Sequence, residues 1–230
     1  MEKIENAHLI LGIDDAGRGP VIGPMILAGC LVDEEIELEF KKLGVKDSKK
    51  LTPRRREMLA EIIKKRAITF EITLTHPNEI TSKNHEGINL NKIEAQKSAE
   101  IINKINKGQG KINIYVDCPS PNIKAWQKVL EGYIENPDNL EIHCEHKADV
   151  NHVSCSAASI IAKTTRDAEI EKIKKLVGVD FGSGYSSDPV TCKFLQDYSE
   201  KHKKDGIFRE TWQTWKQVCS KKEQKNLGEF

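Results

Sequence analysis

The sequence predicts an α/β protein, a sheet with helices packed on it. Three observations carry this. Short β-favouring apolar runs alternate along the chain with stretches whose apolar residues recur at helical spacing. Acidic residues stand where strands or loops would deliver side chains to the rim of a sheet, the usual place for a ligand. The 230 residues, 38% of them hydrophobic, suffice to fill one main core.

Residues 9–13 form the first apolar run. After the Gly/Pro-punctuated stretch "GIDDAGRGPVIGP" (residues 12–24), a second run over 21–32 continues in β-favouring residues, and the pair reads as a hairpin. Residues 46–51 read as a polar loop. Thr52 caps a basic helix that has Pro53 at its first position, with Arg54, Arg55 and Arg56 on its solvent side. Residues 67–75, "AITFEITLT", return as a strand. From 87 to 106 the residues Ile88, Leu90, Ile93, Ala95, Ala99, Ile101, Ile102 and Ile105 keep helical spacing, and "INIYVD" (112–117) is a compact strand ending on an acid. Residues 140–146 alternate like another strand. Ala157, Ile160, Ile161, Thr164 and Ala168 mark a long helix from Val153 to about Lys175. Two further helices are read over 188–202 and 208–219, and the Lys-rich residues 220–230 as a loosely held tail. There is no internal repeat.

Lys plus Arg (36) and Asp plus Glu (35) nearly cancel, so any nucleic-acid surface must be local. No stretch approaches the roughly 18–20 apolar residues of a membrane helix, and residues 1–8 are too polar for a signal peptide. A cytoplasmic protein with no membrane partner is expected. The six scattered cysteines contain no CxxC pair and read as reduced thiols. The group His143, Cys144, His146, His152 and Cys155 matches no zinc spacing.

Four acids carry the chemistry: Asp14, Asp15, Asp117 and Asp149. Singly, each has an ordinary reading, as a turn residue or a helix cap. Together they place four carboxylates with no evident local cations, and clustered acids repel unless protonated or bridged by metal. Hard oxygen ligands select Mg²⁺ or Mn²⁺. Two such ions, roughly 3.5–4 Å apart, are a device for phosphodiester cleavage, one activating water and the other steadying the leaving oxygen. Adjacent strand residues point to opposite faces, so Asp14 and Asp15 share one site only if the strand bends there, and Gly17 and Gly19 supply the bend. A nucleotide-binding glycine loop is the competing reading of "GRGPVIGP". Its spacing matches neither GxGxxG nor GxxxxGK[ST], and Pro20 and Pro24 remove amide donors.

The segments "GIDDAGRGPVIGP", "KDSKKLTPRRRE", "YVDCPS", "HKADVNHVSCSAASIIAKTTRD" and "GSGYSSDPVT" together resemble type 2 ribonuclease H, ribonuclease HII, in its archaeal form, over residues 9–215. The resemblance implies a ribonuclease H-like mixed sheet flanked by helices, with a helical C-terminal extension. It assigns residues 1–187 to a catalytic domain, 188–219 to a helical part packed on it and 220–230 to a flexible tail. It implies endonucleolytic cleavage of RNA in RNA/DNA hybrids, and on the 5′ side of ribonucleotides embedded in duplex DNA, leaving 3′-hydroxyl and 5′-phosphate ends. The family's metal ligands and catalytic acids map onto Asp14, Asp15, Asp117 and Asp149.

Ribose sensing maps onto Gly17, Arg18 and Gly19 with Tyr185, since exposed backbone can approach the 2′-hydroxyl and a phenol ring can pack under the sugar. Lys46, Ser48 and Lys49 correspond to a loop expected to contact phosphate or orient the acids. Two positions depart from the pattern. Asp15 replaces the usual glutamate, one methylene shorter but with the same charge and donor chemistry, and Ser186 replaces a proline beside Tyr185. A catalytically impaired hybrid-binding protein is the alternative reading, against which Asp14, Asp117 and Asp149 stand intact. In the tail, Gln224, Leu227 and Phe230 have the spacing of a short peptide that docks on a sliding clamp. A monomer is expected.

Overall fold

The computed structural model describes residues 8–46, 48–108 and 110–227. Strands β1 (Leu9–Ala16) and β2 (Met25–Val32) pair antiparallel, in the register Gly12 with Cys30 and Asp14 with Ala28. Helix α1 (Glu34–Lys42) follows, capped by Asp33, whose Oδ1 accepts from the Ile36 amide at 2.8 Å. A 3₁₀ turn over Ser48–Lys50 leads to α2 (Pro53–Arg66), which Thr52 caps through the Arg55 amide at 3.3 Å. Then come β3 (Thr69–Thr75), α3 (Pro77–His85) and α4 (Leu90–Ile105). Next are β4 (Ile112–Asp117), α5 (Ile123–Glu131) and β5 (Leu140–Glu145). The chain continues through the single turn α6 (Ala148–Asn151), the long α7 (Val153–Val177), α8 (Pro189–Tyr198) and α9 (Gln213–Leu227).

The sheet order is β3-β2-β1-β4-β5. β1 runs antiparallel to β2 but parallel to β4, and β4 is parallel to β5, so the sheet is mixed, as the family resemblance implies. β1 is central and is buried along its length except at Asp15. That burial explains why it reads as a continuous apolar run rather than an alternating one. On β4, by contrast, Ile112, Ile114 and Val116 are buried and alternate with partly exposed residues.

Packing divides the described chain into two units. The first comprises the residues through Ala16, Ile26–Leu74 and Leu90–Thr165, and holds the sheet apart from a residue at the end of two strands. Its core sets Ile10, Ile26, Ala28 and Val32 of the sheet against Ala157, Ala158, Ile161 and Ala162 of α7, with Leu59 and Ile63 of α2 beside them. Small residues on the face of α7 let the helix lie close to the strands. The second unit comprises Gly17–Met25, Thr75–Asn89 and the chain from Arg166 onward. Its core joins Val21 and Ile22 to Phe181, Phe194, Phe208 and Trp215, with the last two rings 4.4 Å apart.

Three differences from the sequence reading have physical causes. Val21 and Ile22 do not extend β2. Gly23 adopts φ 93°, Pro24 offers no amide to a ladder, and Ile22 instead forms an isolated bridge with Phe208. Helices α1, α3 and α5 lie outside the sequence reading because each spans only nine residues and buries one or two side chains. The backbone of α9 runs to Leu227 rather than stopping near Cys219. Among the described residues no helix is long and apolar enough to cross a membrane. All six cysteines are free thiols.

Candidate active site

β1 carries Asp14 to the edge of the sheet, and its parallel neighbour β4 ends on Asp117. Asp149 arrives from the other side, on α6, after a left-handed Lys147 (φ 62°) turns the chain back from β5. One carboxylate oxygen from each of Asp14, Asp117 and Asp149 lies within 4.8 Å of the others. The trio is held by polar contacts from α7 and its approach. The Ser159 hydroxyl hydrogen-bonds Asp14, Ser156 Oγ donates to the Asp149 carbonyl at 2.6 Å, and the Ala148 amide donates to Asp117 Oδ1 at 3.2 Å. Asp14 Oδ1 also accepts from the Asp15 amide at 2.7 Å.

Asp14 and Asp149 are only 7% and 3% exposed. Burial, with the negative charges of Asp15 and Asp117 nearby, pushes the Asp14 carboxyl well above the usual carboxylate range, and the hydrogen bonds from Ser159 and the Asp15 amide only partly oppose this. Asp117 is pushed up for the same reasons, first by burial and then by Asp149. Lys49 Nζ stands 3.9 Å from Asp149 Oδ2 on a side chain 83% exposed, where screening leaves it little power to neutralise the group. Carboxylates this close, two of them buried, are hard oxygen donors suited to a divalent counter-charge, so the donor set fits Mg²⁺ or Mn²⁺.

Asp15 is placed differently from the other three acids. β1 stays regular through Ala16, in register with Ile26, and the bend expected at the acids falls one residue past the strand end, at Gly17 with φ 81°. Successive strand side chains alternate, so Asp15 stands outside the trio. It is half-buried and shares a narrow recess with Asp14, Asp117, Glu94 and Ser98 of α4 and Trp126 of α5. Glu94 is buried there, although the apolar period of α4 marks that position only as one turn of a core helix.

The loop before α2 is more ordered than its polar sequence implies. Ser48 is buried, and its hydroxyl meets Ser159 Oγ at 2.9 Å, so it adjoins Asp14 through one intervening hydroxyl. Lys46 and Lys49 are exposed. Arg56 does not face solvent as expected. It is half-buried and donates from Nη1 to the carbonyls of Ser48 (3.1 Å) and Leu51 (2.8 Å), bracing the loop from α2. Ser159 has no role in the sequence reading, and Arg56 enters it only as a solvent-facing residue. The signal for Ser159 is a run of serines, at 154, 156 and 159, on an otherwise apolar helix face.

The expected sugar-sensing residues belong to the second unit. There a methyl built on Gly19 would sit 3.3 Å from the Tyr185 ring, so glycine is what allows that ring to lie against the turn. Tyr185 is 38% exposed, and its ring is backed by the Arg166 guanidinium at 5.3 Å, with Arg166 Nη2 donating to the Ser183 carbonyl at 2.7 Å. Arg18 is half-buried. Of the tail positions, Gln224 and Leu227 fall on the backbone of α9, and Phe230 lies outside the described residues.

Residues 11–215 match the family model for ribonuclease HII. The chain belongs to the ribonuclease HII family. Membership carries metal-dependent ribonuclease H activity toward RNA/DNA hybrids, and the carboxylate trio is the matching chemistry. The chain is 42% identical over 229 residues to the ribonuclease HII of Methanocaldococcus jannaschii, covering 95% of this chain and 98% of that one. Its fold is similar to the crystal structure of ribonuclease H2 from Pyrococcus horikoshii, with TM-score 0.82, 36% identity, and 93% and 98% of the two chains covered. It is also similar to ribonuclease HII in a complex with PCNA from Archaeoglobus fulgidus, with TM-score 0.77, 38% identity, and 89% and 95% covered.

Proposed function

We propose that this chain cleaves RNA in RNA/DNA hybrids and cuts on the 5′ side of single ribonucleotides in duplex DNA, leaving 3′-hydroxyl and 5′-phosphate ends. In this reading Asp14, Asp117 and Asp149 hold divalent metal, Mg²⁺ or Mn²⁺, and Asp15 supplies a fourth carboxylate from the adjoining recess. The observation that carries the reading is the convergence of three carboxylate oxygens within 4.8 Å of one another.

Asp14, Asp117 and Asp149 would hold the divalent metal, which would supply activation of water and neutralisation of charge on the phosphate. The chain itself fixes the carboxylates before substrate arrives. Ser159, held in turn by Ser48, fixes one oxygen of Asp14, and the Ala148 amide fixes one of Asp117. Lys46 and Lys49, exposed on the braced loop, are suited to phosphate oxygens. Gly17, Arg18 and Gly19 with Tyr185 select the sugar, because the 2′-hydroxyl is what separates ribose from deoxyribose.

The test is a labelled duplex carrying one ribonucleotide, incubated with Mg²⁺, with Mn²⁺ or with chelator. A nick 5′ to the ribonucleotide is expected in either ion and not in chelator. Tight binding without a nick in both ions would instead identify an impaired hybrid-binding protein.

The tail is proposed to dock on a sliding clamp through Gln224, Leu227 and Phe230. The PCNA complex of the Archaeoglobus fulgidus relative supports this reading. Removing residues 224–230 is expected to abolish co-elution with the clamp while leaving nicking of short duplexes unchanged. Co-elution that survives the deletion would refute this docking site.

A further inference from the structure

Arg209 is fully buried, 0% exposed, and its guanidinium is spent on backbone carbonyls. Nη2 donates to the carbonyls of Gly17 at 2.5 Å and Gly23 at 3.0 Å, Nη1 to that of Arg18 at 2.6 Å, and Nε again to that of Gly23 at 3.1 Å. Trp212 extends the grip, with its indole Nε1 donating to the Gly19 carbonyl at 3.0 Å. The Trp212 ring lies 5.0 Å from the guanidinium carbon. Three consecutive carbonyls, from Gly17 to Gly19, are thus drawn into the body of the second unit. The Arg209 amide also donates to the Val21 carbonyl at 2.9 Å, which ties the donor's own backbone to the same turn.

These peptides are trans, so each planar unit points its N–H opposite to its C=O. Carbonyls of Gly17 and Arg18 fixed inward therefore set the amides of Arg18 and Gly19 outward. A turn flanked by glycines is where a peptide plane flips most readily, because glycine tolerates the φ change that a flip requires. A flip would present carbonyl oxygen, an acceptor, in place of an amide donor. The polarity of the turn's outward edge then depends on what holds its inward edge.

We propose that Arg209, assisted by Trp212, is a specificity-positioning residue. It locks the Gly17 and Arg18 carbonyls inward so that the amides of Arg18 and Gly19, on the opposite edges of the same two peptides, meet the ribose 2′-hydroxyl, while Trp212 anchors the following Gly19–Pro20 peptide, which has no amide. This rests on the reading that these three residues and Tyr185 sense the sugar.

The experiment measures binding in Mg²⁺ on the full chain carrying Asp117→Asn to block turnover. Dissociation constants are compared for an all-DNA duplex and for the same duplex with one ribonucleotide. Arg209→Lys keeps the charge but cannot span three carbonyls. It is expected to lower the preference for the ribonucleotide about tenfold, the scale of one or two charge-assisted hydrogen bonds, while affinity for the all-DNA duplex stays within about twofold. Trp212→Phe keeps an aromatic ring on that side chain and removes the donor to Gly19, so a smaller loss in the same direction is expected. A merely structural role would reduce the active fraction for both duplexes alike and leave the ratio unchanged, which overturns the inference. If Arg209→Lys does not fold, Trp212→Phe decides on the same criterion. Tyr185→Ala separates the two levels. Should it leave the ratio untouched, the sugar-sensing reading itself fails. Should it collapse the ratio while Arg209→Lys and Trp212→Phe do not, only the positioning role is lost.

Discussion

Asp14→Asn is expected to abolish nicking, by a factor on the order of a thousand or more, and at the same time to make the metal-free protein more stable at neutral pH. The two effects share one cause. The amide keeps an Oδ1 that accepts from the Asp15 amide and keeps the size of the side chain, but it removes one negative charge from the buried group. The sign follows from the raised Asp14 carboxyl. Between the ordinary aspartate value and its higher value in the fold, the native state holds a proton that the unfolded chain has released. Stability of the metal-free wild type therefore falls as pH rises through that window, and stays lower above it. Asp117, also raised, adds to the same slope. In the variant the Asp14 part of the slope is gone. Each ~1 kcal/mol relieved moves the unfolding midpoint by roughly 2–4 °C in a chain of this size. Thermal melts at pH 5 and pH 8, with Mg²⁺ and with chelator, check this. Mg²⁺ should stabilise wild type more at pH 8 than at pH 5, and the variant less than wild type at either. A variant less stable than wild type in chelator at pH 8 would mean that the carboxylate is held as an anion by protein donors alone.

What the sequence made legible was whatever is written in consecutive residues. β4, α4 and α7 bury apolar sets that announce themselves by period, and β1 by an unbroken apolar run. Asp14, Asp117 and Asp149 were legible because each stands where an element begins or ends. Asp15 shows the limit of that logic. Two adjacent acids look like one feature in a string, whereas a strand that stays regular to Ala16 sends them to different faces. Ser159 and Arg209 were illegible for another reason. Ser159 meets Ser48 across 111 positions, and Arg209 reaches Gly17 across 192, and no local pattern encodes a partner that distant. The short helices α1, α3 and α5 did carry boundary signals, in Asp33, Pro77 and Asn122, but each is only nine residues long, too short for an apolar spacing such as Ile123, Trp126 and Leu130 on α5 to stand out from a loop. A cap alone marks where a helix would begin without showing that one does.

Gly12→Ala is expected to be the most damaging single-methyl change in the sheet, and it tests how the carboxylates come together. Gly12 has an ordinary strand conformation, so its requirement is for space rather than for backbone freedom. A Cβ there would overlap the backbone of Ser154 and Cys155, in the first turn of α7. Backbone cannot rotate out of the way as a side chain can, so α7 must retreat from β1. That retreat would loosen the contacts that α7 carries: Cys155 Sγ to the Tyr115 carbonyl at 3.1 Å, Ser156 to the Asp149 carbonyl, and Ser159 to Asp14. The cost belongs at or above the upper end of overpacking, ~3 kcal/mol, a fall in midpoint of roughly 6–12 °C. Two neighbouring changes calibrate it. Gly29→Ala meets the Ile101 side chain rather than backbone, and should cost less. Gly108→Ala has open space around it and bears only the strain of φ 74°, on the order of 1 kcal/mol. The decisive measurement is Mg²⁺ affinity by calorimetry on the folded fraction. Gly12→Ala should weaken metal binding, whereas the two calibrating changes should lower stability and leave it alone. Equal metal affinity in all three would show that the close approach of α7 to β1 serves the core and does not set the spacing of the carboxylates.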